Sequence, residues 1–560
     1  MCGIYGFNHL DENRMKSMLR ASAYRGPDGN GIYSDKSITL GHNLLAITED
    51  PLSSKQPWVL DDRWVLCFNG EIYNYLELKS TLEKSGETFT TESDTEILAK
   101  GLRRYGKDFI HKLDGMYAIA WYDKLEQTLI FARDAAGAKP LFVYRENDIL
   151  VFSSSIKSIA AYGVSLQLPE NYVQERVQRG SRSGTTTSYR NITKLYPGQI
   201  IKYRLHNLSK ELDEHVHKKH ELIDIKLEDA EFYPYLHNNC RHTISESVIS
   251  CLMGRRPIGL YLSGGLDSSI VLHELVQHQN KPKTFTTRFS MGDGKESGAN
   301  SDADVALKLS EHYGTDHTEL LVTEQDYIKH FEDTVWALEE PFSNKSTPAY
   351  YALNKTVSEN GVVVTLSGDG GDELFTGYKR HLGIYRKSPE EKEELQKEFI
   401  TKWSDFKGGW FPVDCLSNDH LNTIMYKEFL CRVAENFLIR NDNLGMNFSM
   451  EARFPLTTDK IKKFAYSIPS QYKIRDNSTK VILRESYRGI IPDFVLDKHK
   501  TGWSIPKNFL FNPEFKSWAL EQLPQDRAKE FLSVSSYREM QSFIAPIAFS
   551  IWARLFKVAI

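Results

Sequence analysis

The run Ile258-Gly259-Leu260-Tyr261-Leu262 leads into Ser263-Gly264-Gly265-Leu266-Asp267-Ser268-Ser269, and then into an apolar-periodic stretch through Ile270, Val271 and Leu275. That order predicts a strand, a tight turn and a helix. A helix opening on two glycines and two hydroxyls presents free backbone N–H groups and a positive dipole end to an anion. Glycine lets backbone approach a phosphate closely, and Asp267 is able to hold a hard cation such as Mg²⁺. No Gly-Lys-Ser/Thr follows the glycines, so this is not a Walker A loop. On its own the string is also an ordinary turn before a helix. What surrounds it gives it chemical meaning.

The chain has 560 residues, 41% of them hydrophobic, and a formal net charge of −4. At roughly 150 residues per domain, this length predicts about two to four domains, each with its own core. Without a basic excess, neither nucleic acid nor an anionic membrane is a default partner. Cys2, Cys67, Cys240, Cys251, Cys415 and Cys431 are scattered without CxxC pairing. Neither a disulfide framework nor a zinc site is indicated. No signal-like start and no apolar run of about 18 residues is found, so the expected location is the cytoplasm.

Cys2 becomes the N-terminus once Met1 is removed, which places a thiol and an α-amine on one residue. The amine can then serve as base for the thiol. Arg25-Gly26-Pro27-Asp28-Gly29 is a rigid charged turn suited to a site wall. Asn69-Gly70-Glu71-Ile72-Tyr73-Asn74 closes a strand that starts at Trp64, and an Asn amide with a Gly N–H there is able to stabilise an oxyanion. Ser93-Asp94-Thr95-Glu96 opens a helix, where Asp94 is either an N-cap or a partner for a substrate ammonium. The His- and Lys-rich run from Asn207 to Lys226 reads as linker or solvated surface, and a metal role for His215, His217 and His220 is disfavoured.

The second half alternates strand-like runs with amphipathic helices, the pattern of a parallel sheet covered on both faces. Lys283–Phe289 is a second strand and Asp302–Tyr313 a helix. Val362–Leu366 is a buried-strand run ending in Ser367-Gly368-Asp369-Gly370-Gly371-Asp372-Glu373, which sets two carboxylates at a strand end, where open sheets bind ligands. Lys480-Val481-Ile482-Leu483-Arg484 offers either a mobile point charge for a phosphate or a solvated lysine near Glu485. The run through Phe549, Ile551, Trp552, Leu555 and Phe556 predicts an amphipathic helix packed on the core.

Together these motifs resemble the glutamine-hydrolysing asparagine synthetase family over most of the chain. The resemblance implies an α+β N-terminal-nucleophile glutaminase sandwich over 1–205, a linker over 206–235 and an α/β doubly wound parallel-sheet synthetase domain over 236–560. It implies that Cys2 is the nucleophile, that Asn69 and Gly70 form the oxyanion hole, and that Glu71 and Asp94, with Ile47, Asn69 and Gly70, bind glutamine. It assigns Leu262, Ser263, Gly264, Gly265, Asp267, Ser268, Thr287, Ser367 and Gly368 to ATP, and Asp267 with Asp372 to Mg²⁺. Asp369 would guide ammonia onto an acyl-adenylate, and Lys480 would stabilise departing pyrophosphate. Glu339-Glu340-Pro341-Phe342 and Ser346-Thr347-Pro348 resemble an acceptor-side loop, and Lys500-Thr501-Gly502-Trp503 with Pro506 extends the match.

The implied reaction converts L-aspartate, L-glutamine and ATP to L-asparagine, L-glutamate, AMP and pyrophosphate, with a homodimer as an arrangement to test. Its rivals are the same chemistry on a sugar-acid or peptide carboxylate, an ammonia-using relative with impaired glutaminase, and a non-catalytic relative. Four departures stand out. Leu44 occupies the place of the family arginine that binds the glutamine carboxylate, Ser155 that of a glutamate, and Arg288 that of a glycine beside adenine. Leu456-Thr457-Thr458-Asp459 slips by one residue after the Glu451-Ala452-Arg453-Phe454-Pro455 element.

Overall fold

Strands with alternating inward apolar side chains build the N-terminal part of this computed structural model, which describes residues 2–48, 54–170, 172, 184–217, 221–222, 232–291, 298, 300–404, 419–499 and 502–559. The strands are β1 (Gly3–Phe7), β2 (Gly29–Ser34), β3 (Thr39–Leu44), β4 (Trp58–Leu60), β5 (Trp64–Ile72), β6 (Gly115–Asp123), β7 (Thr128–Arg133), β8 (Phe142–Glu146), β9 (Ile149–Ser153), β10 (Ile192–Lys194), β11 (Gln199–Arg204) and β12 (Ser209–His215). They form two antiparallel sheets, ordered β10-β8-β9-β1-β3-β2 and β12-β11-β7-β6-β5-β4.

Ile4, Leu40, Val65, Phe131 and Phe152 interleave between the sheets. Helices Glu12–Ala21 and Ile156–Tyr162 bury Met15, Met18, Ile156 and Ile159 against the first sheet. Helices Tyr75–Lys84 and Asp94–Tyr105 bury Leu78, Leu82, Ile97 and Leu98 against the second. The result is the expected helix–sheet–sheet–helix sandwich. Its last strand corrects the sequence reading: Ser209–His215, expected to be linker, pairs with β11 from Gln199↔His215 to Arg204↔Ser209. Polar side chains hid it, because an edge strand needs only its backbone donors and acceptors to join a sheet.

The second part is a five-stranded parallel sheet: β13 (Ile258–Tyr261), β14 (Lys283–Phe289), β15 (Asp316–Val322), β16 (Val364–Leu366) and β17 (Glu451–Arg453), ordered β15-β14-β13-β16-β17. The chain proceeds from β13 outward to β15, then returns to β16 on the other side. The sheet's switch point therefore lies between β13 and β16, where a crevice opens at the carboxyl ends of strands. The Ser263–Ser269 and Ser367–Asp372 stretches follow these two strands.

One apolar core crosses the junction, joining Leu45, Ile47, Met116 and Ala136 to Leu260, Leu366 and Phe454. The C-terminal helix Ile544–Leu555 is core-packed as expected, with Trp552 fully buried. Among the described residues, no helix is long and apolar enough to cross a membrane.

Candidate functional site

At the β13/β16 switch point lies a cavity of about 460 Å³. Leu262, Ser263, Gly265, Asp267, Ser268, Thr287, Ser367, Gly368, Asp369, Asp372 and Lys480 all line it. Gly264 backs the loop instead. Its φ is 68°, and a Cβ there would collide with the Asp302 carbonyl, so this glycine lets the turn pack on the Ser301–Tyr313 helix.

Lys480 Nζ lies 2.5 Å from Asp267 Oδ2 and 2.5 Å from Asp372 Oδ1. The lysine is 5% exposed, which removes the solvated-surface reading; Glu485 pairs with Arg475 instead. Burial opposes the lysine charge, and the two aspartates outweigh it, so the ammonium is held above the ordinary lysine range. Gly377 makes this possible: a Cβ there would collide with Asp372 and Lys480. Nothing in the sequence around Gly377 signals that role.

Two carboxylates turned on one cation position suit Mg²⁺. No group of three or more His, Cys, Asp or Glu that could hold a metal occurs among the described residues.

Asp369 Oδ2 accepts hydrogen bonds from Ser367 Oγ and Asn441 Nδ2, each at 2.7 Å. Thr287 Oγ1 accepts from Trp503 Nε1 at 2.8 Å. Arg288 pairs with Glu319 at 2.6 Å and Asp304 at 2.9 Å, while its strand neighbours Thr287 and Phe289 line the cavity. The period of two thus carries the departure away from the wall. Lys500 and Thr501 lie outside the described residues, whereas Gly502 and Trp503 line the cavity.

The second constellation surrounds Cys2. Its backbone N–H donates to Asn69 Oδ1 at 3.0 Å, and Asn69 Nδ2 donates to Ser154 Oγ at 3.4 Å. Burial pushes the thiol up to about 11, against the pull of the chain's N-terminal amine, so the nucleophile needs a base. Gly70 lies opposite Tyr117 in the β5–β6 ladder.

Glu71 is 4% exposed, and its Oε2 has no hydrogen-bond partner among the described residues. Such an orphaned acceptor is what a substrate ammonium satisfies. Burial and then Glu451 raise Glu71 well above the carboxylate range. Asp94 Oδ2 accepts from the Ile72 N–H at 3.0 Å, and burial pushes Asp94 up to about 7. Burial also opposes charge on Glu451, but the N-terminal amine, Arg453 and Lys139 hold it down to about 2.

Arg453 comes from β17 and reaches this site, with Nε 2.5 Å from Glu451 Oε1 and Nη2 3.5 Å from Glu71 Oε1. Ile47 belongs to the junction core, and its carbonyl already accepts from the Arg255 N–H at 2.9 Å. Leu44 is buried against Cys2 and Ala46, so an apolar side chain does stand beside the nucleophile.

Glu339 was not legible in advance. Expected on an acceptor-side loop, it turns instead toward the sandwich, where Ser155 Oγ donates to it. Glu340 likewise accepts from the Ser188 N–H at 2.8 Å.

An antiparallel sandwich opening on a cysteine, joined to a parallel sheet with glycine loops at its switch point, defines a two-domain amidotransferase–synthetase. Residues 239–542 match the family described as asparagine synthase, and residues 1–213 match the glutamine amidotransferase domain. The chain belongs to the asparagine synthase family and is an ATP-dependent carbon–nitrogen ligase with glutamine as amido donor.

It is 26% identical to "Asparagine synthetase [glutamine-hydrolyzing] 1" of Bacillus subtilis (strain 168), over 95% of this chain and 91% of that protein. It is 31% identical to "Putative asparagine synthetase [glutamine-hydrolyzing] 2" of Methanocaldococcus jannaschii, over 76% of this chain and 84% of that protein. It is 25% identical to "Amidase chry2" of Gibberella zeae, over 91% and 89% respectively.

Proposed function

We propose that the chain amidates L-aspartate through an acyl-adenylate, with L-glutamine as nitrogen source, giving L-asparagine, L-glutamate, AMP and pyrophosphate. The observation that carries this reading is the convergence of Asp267 and Asp372 on Lys480 at the floor of the switch-point cavity. Carboxylate oxygen is a very poor leaving group, and AMP is a good one. The acceptor carboxylate attacks the α-phosphorus, and pyrophosphate departs. Backbone N–H groups of the Ser263–Ser269 loop hold the phosphates, and Lys480 neutralises charge developing on pyrophosphate. Asp267 and Asp372 would hold Mg²⁺, which supplies charge neutralisation to the phosphates when bound.

At the other site the amine of a processed Cys2 takes the thiol proton, and sulfur attacks the glutamine amide carbon. Asn69 and Gly70 stabilise the oxyanion; ammonia leaves, and water clears the thioester as glutamate. Ammonia then attacks the adenylate beside Asp369 and displaces AMP. The curated relatives named as asparagine synthetases support aspartate as acceptor.

A second reading, in which ammonia is the better nitrogen source, is favoured by Leu44 beside Cys2. AMP release measured across candidate acids tests the acceptor. A rate that rises with aspartate supports the proposal, and turnover indifferent to aspartate overturns it.

A further inference from the structure

A second cavity, of about 1010 Å³, adjoins the nucleotide site. Gly377, Tyr378, Thr479, Arg484 and Lys498 line both, so the two are continuous. Thr479 and Val481, on either side of Lys480, face the second cavity, while Lys480 itself turns into the first. Six lysines and arginines line the second cavity against three carboxylates.

Half of those cations are already paired. Arg475 pairs with Glu485 and Lys498 with Asp302, and Arg488 lies 2.9 Å from both Asp493 and Asp497. Lys379, Arg386 and Arg484 form no ion pair among the described residues. Arg386 Nη2 donates to Asn477 Oδ1. Arg484 donates from Nε to the Thr479 carbonyl at 3.0 Å and from Nη2 to the Lys498 carbonyl at 3.4 Å. Of the lining carboxylates, Asp476 alone has no ion pair among the described residues, and it is exposed.

Asn477 and Thr479 belong to one tight hairpin, in which Ile474 pairs with Thr479 and Arg475 with Ser478. The hairpin thus anchors two guanidinium groups at residues no more than about 7 Å apart along the chain. An anion carrying two phosphoryl groups can engage both at once, which orthophosphate at a single point does not. The nucleotide cavity itself carries Asp267, Asp369, Asp372 and Glu373, whereas the second cavity carries the uncancelled cations. A concave surface lined by one sign of charge focuses its field, so a polyanion freed beside Lys480 is drawn from the first cavity into the second.

We infer that the second cavity is a binding site for inorganic pyrophosphate and the route by which that product leaves, with Lys379, Arg386 and Arg484 as its cations. The inference rests on the pyrophosphate-releasing reading proposed above.

The test is calorimetric binding of inorganic pyrophosphate to the full chain in Mg²⁺ buffer, with α,β-methylene-ATP saturating the nucleotide cavity so that only the second remains open. Wild type is expected to bind pyrophosphate under these conditions, and orthophosphate about tenfold more weakly or worse. Lys379→Gln and Arg386→Gln change exposed side chains that line the second cavity and not the first. Each is expected to weaken pyrophosphate binding about tenfold, the lower end for one charge-assisted contact. Their affinity for α,β-methylene-ATP should stay within about twofold of wild type, which also reports that they fold.

No pyrophosphate bound to the analogue-filled chain, unaltered affinity in both variants, or orthophosphate bound as tightly overturns the second site alone. A wild type that forms no pyrophosphate from ATP with any acid overturns the functional reading, and the exit role with it.

Discussion

Ser155 Oγ donates to the Glu339 carboxylate at 2.5 Å across the domain junction. The same carboxylate accepts from the Ile156 N–H at the start of helix Ile156–Tyr162 and from Tyr24 Oη at 3.1 Å, and lies 3.5 Å from Lys157 Nζ. The glutamate that the sequence lacks at 155 is therefore supplied by the other domain, onto the same helix N-terminus. Replacing Glu339 with alanine strands a buried lysine and several donors. It is expected to destabilise the docked state by about 3–5 kcal/mol, with Glu339→Gln less severe. Urea unfolding followed by tryptophan fluorescence checks this; an unshifted midpoint for Glu339→Ala would count against it.

Lys480 occupies the left-handed region with φ 55°, where glycine is at ease. Lys480→Gly should relieve about 1 kcal/mol of backbone strain but strand the Asp267 and Asp372 carboxylates, so a net loss of stability is expected. It should also lower AMP and pyrophosphate release by about 10²–10³-fold, the scale for losing one preorganised charge. Thermal unfolding and a pyrophosphate assay on the same sample separate the two effects.

Asp267→Asn and Asp372→Asn each remove one carboxylate from the Lys480 pair. Both variants are expected to lose AMP formation with glutamine and with ammonium alike, while glutaminase persists. Chelation of divalent cations should reproduce that pattern in wild type, and restored Mg²⁺ should reverse it. Normal pyrophosphate production by either folded variant would refute the site.

Leu44→Arg restores a cation beside Cys2. A charge-assisted contact contributes about 1.5–3 kcal/mol, so the glutamine KM should fall roughly ten- to a hundredfold. Ammonium-supported turnover should not change, and in wild type it should exceed glutamine-supported turnover at equal nitrogen concentration. Efficient wild-type use of dilute glutamine would contradict the second reading.

Burial lifts Asp94 from 3.8 to about 7. Between those values the folded chain holds a proton that the unfolded chain releases. The Asp94 contribution to stability is thus complete below about 4 and is lost as pH rises through about 7. Ammonium recognition runs the opposite way, because only the carboxylate attracts it. Glutamine KM should fall as pH rises through about 7, and Asp94→Asn should flatten that dependence. Steady-state kinetics from pH 5.5 to 8.5 measure both.

Most of the nucleotide site was legible because its residues are local to strand ends. Ser263–Ser268 and Ser367–Asp372 each follow an apolar run, and strand–turn–helix order alone sets them at a sheet edge. Lys480 was legible as a motif, but its partners were not, since the aspartates it joins lie more than a hundred residues upstream. Ser209–His215 was missed because a polar edge strand shows no apolar alternation. Glu339 was read only as part of an acceptor-side loop, and its bond to Ser155 was not legible, as nothing local distinguishes a carboxylate facing a cavity from one facing a neighbouring domain.

From the amino-acid order alone came the strand–turn–helix elements that carry the nucleotide loops, the glycine turns, the N-terminal thiol and the departure at position 44. These depend on backbone preferences and apolar period, which act over a few residues. The meeting of Asp267, Asp372 and Lys480, the cross-domain capping by Glu339 and the Arg25–Asp442 pair were decided only on folding. A charge buried far from its partner in sequence is tolerable only where packing delivers the opposite charge, and that delivery belongs to the whole chain.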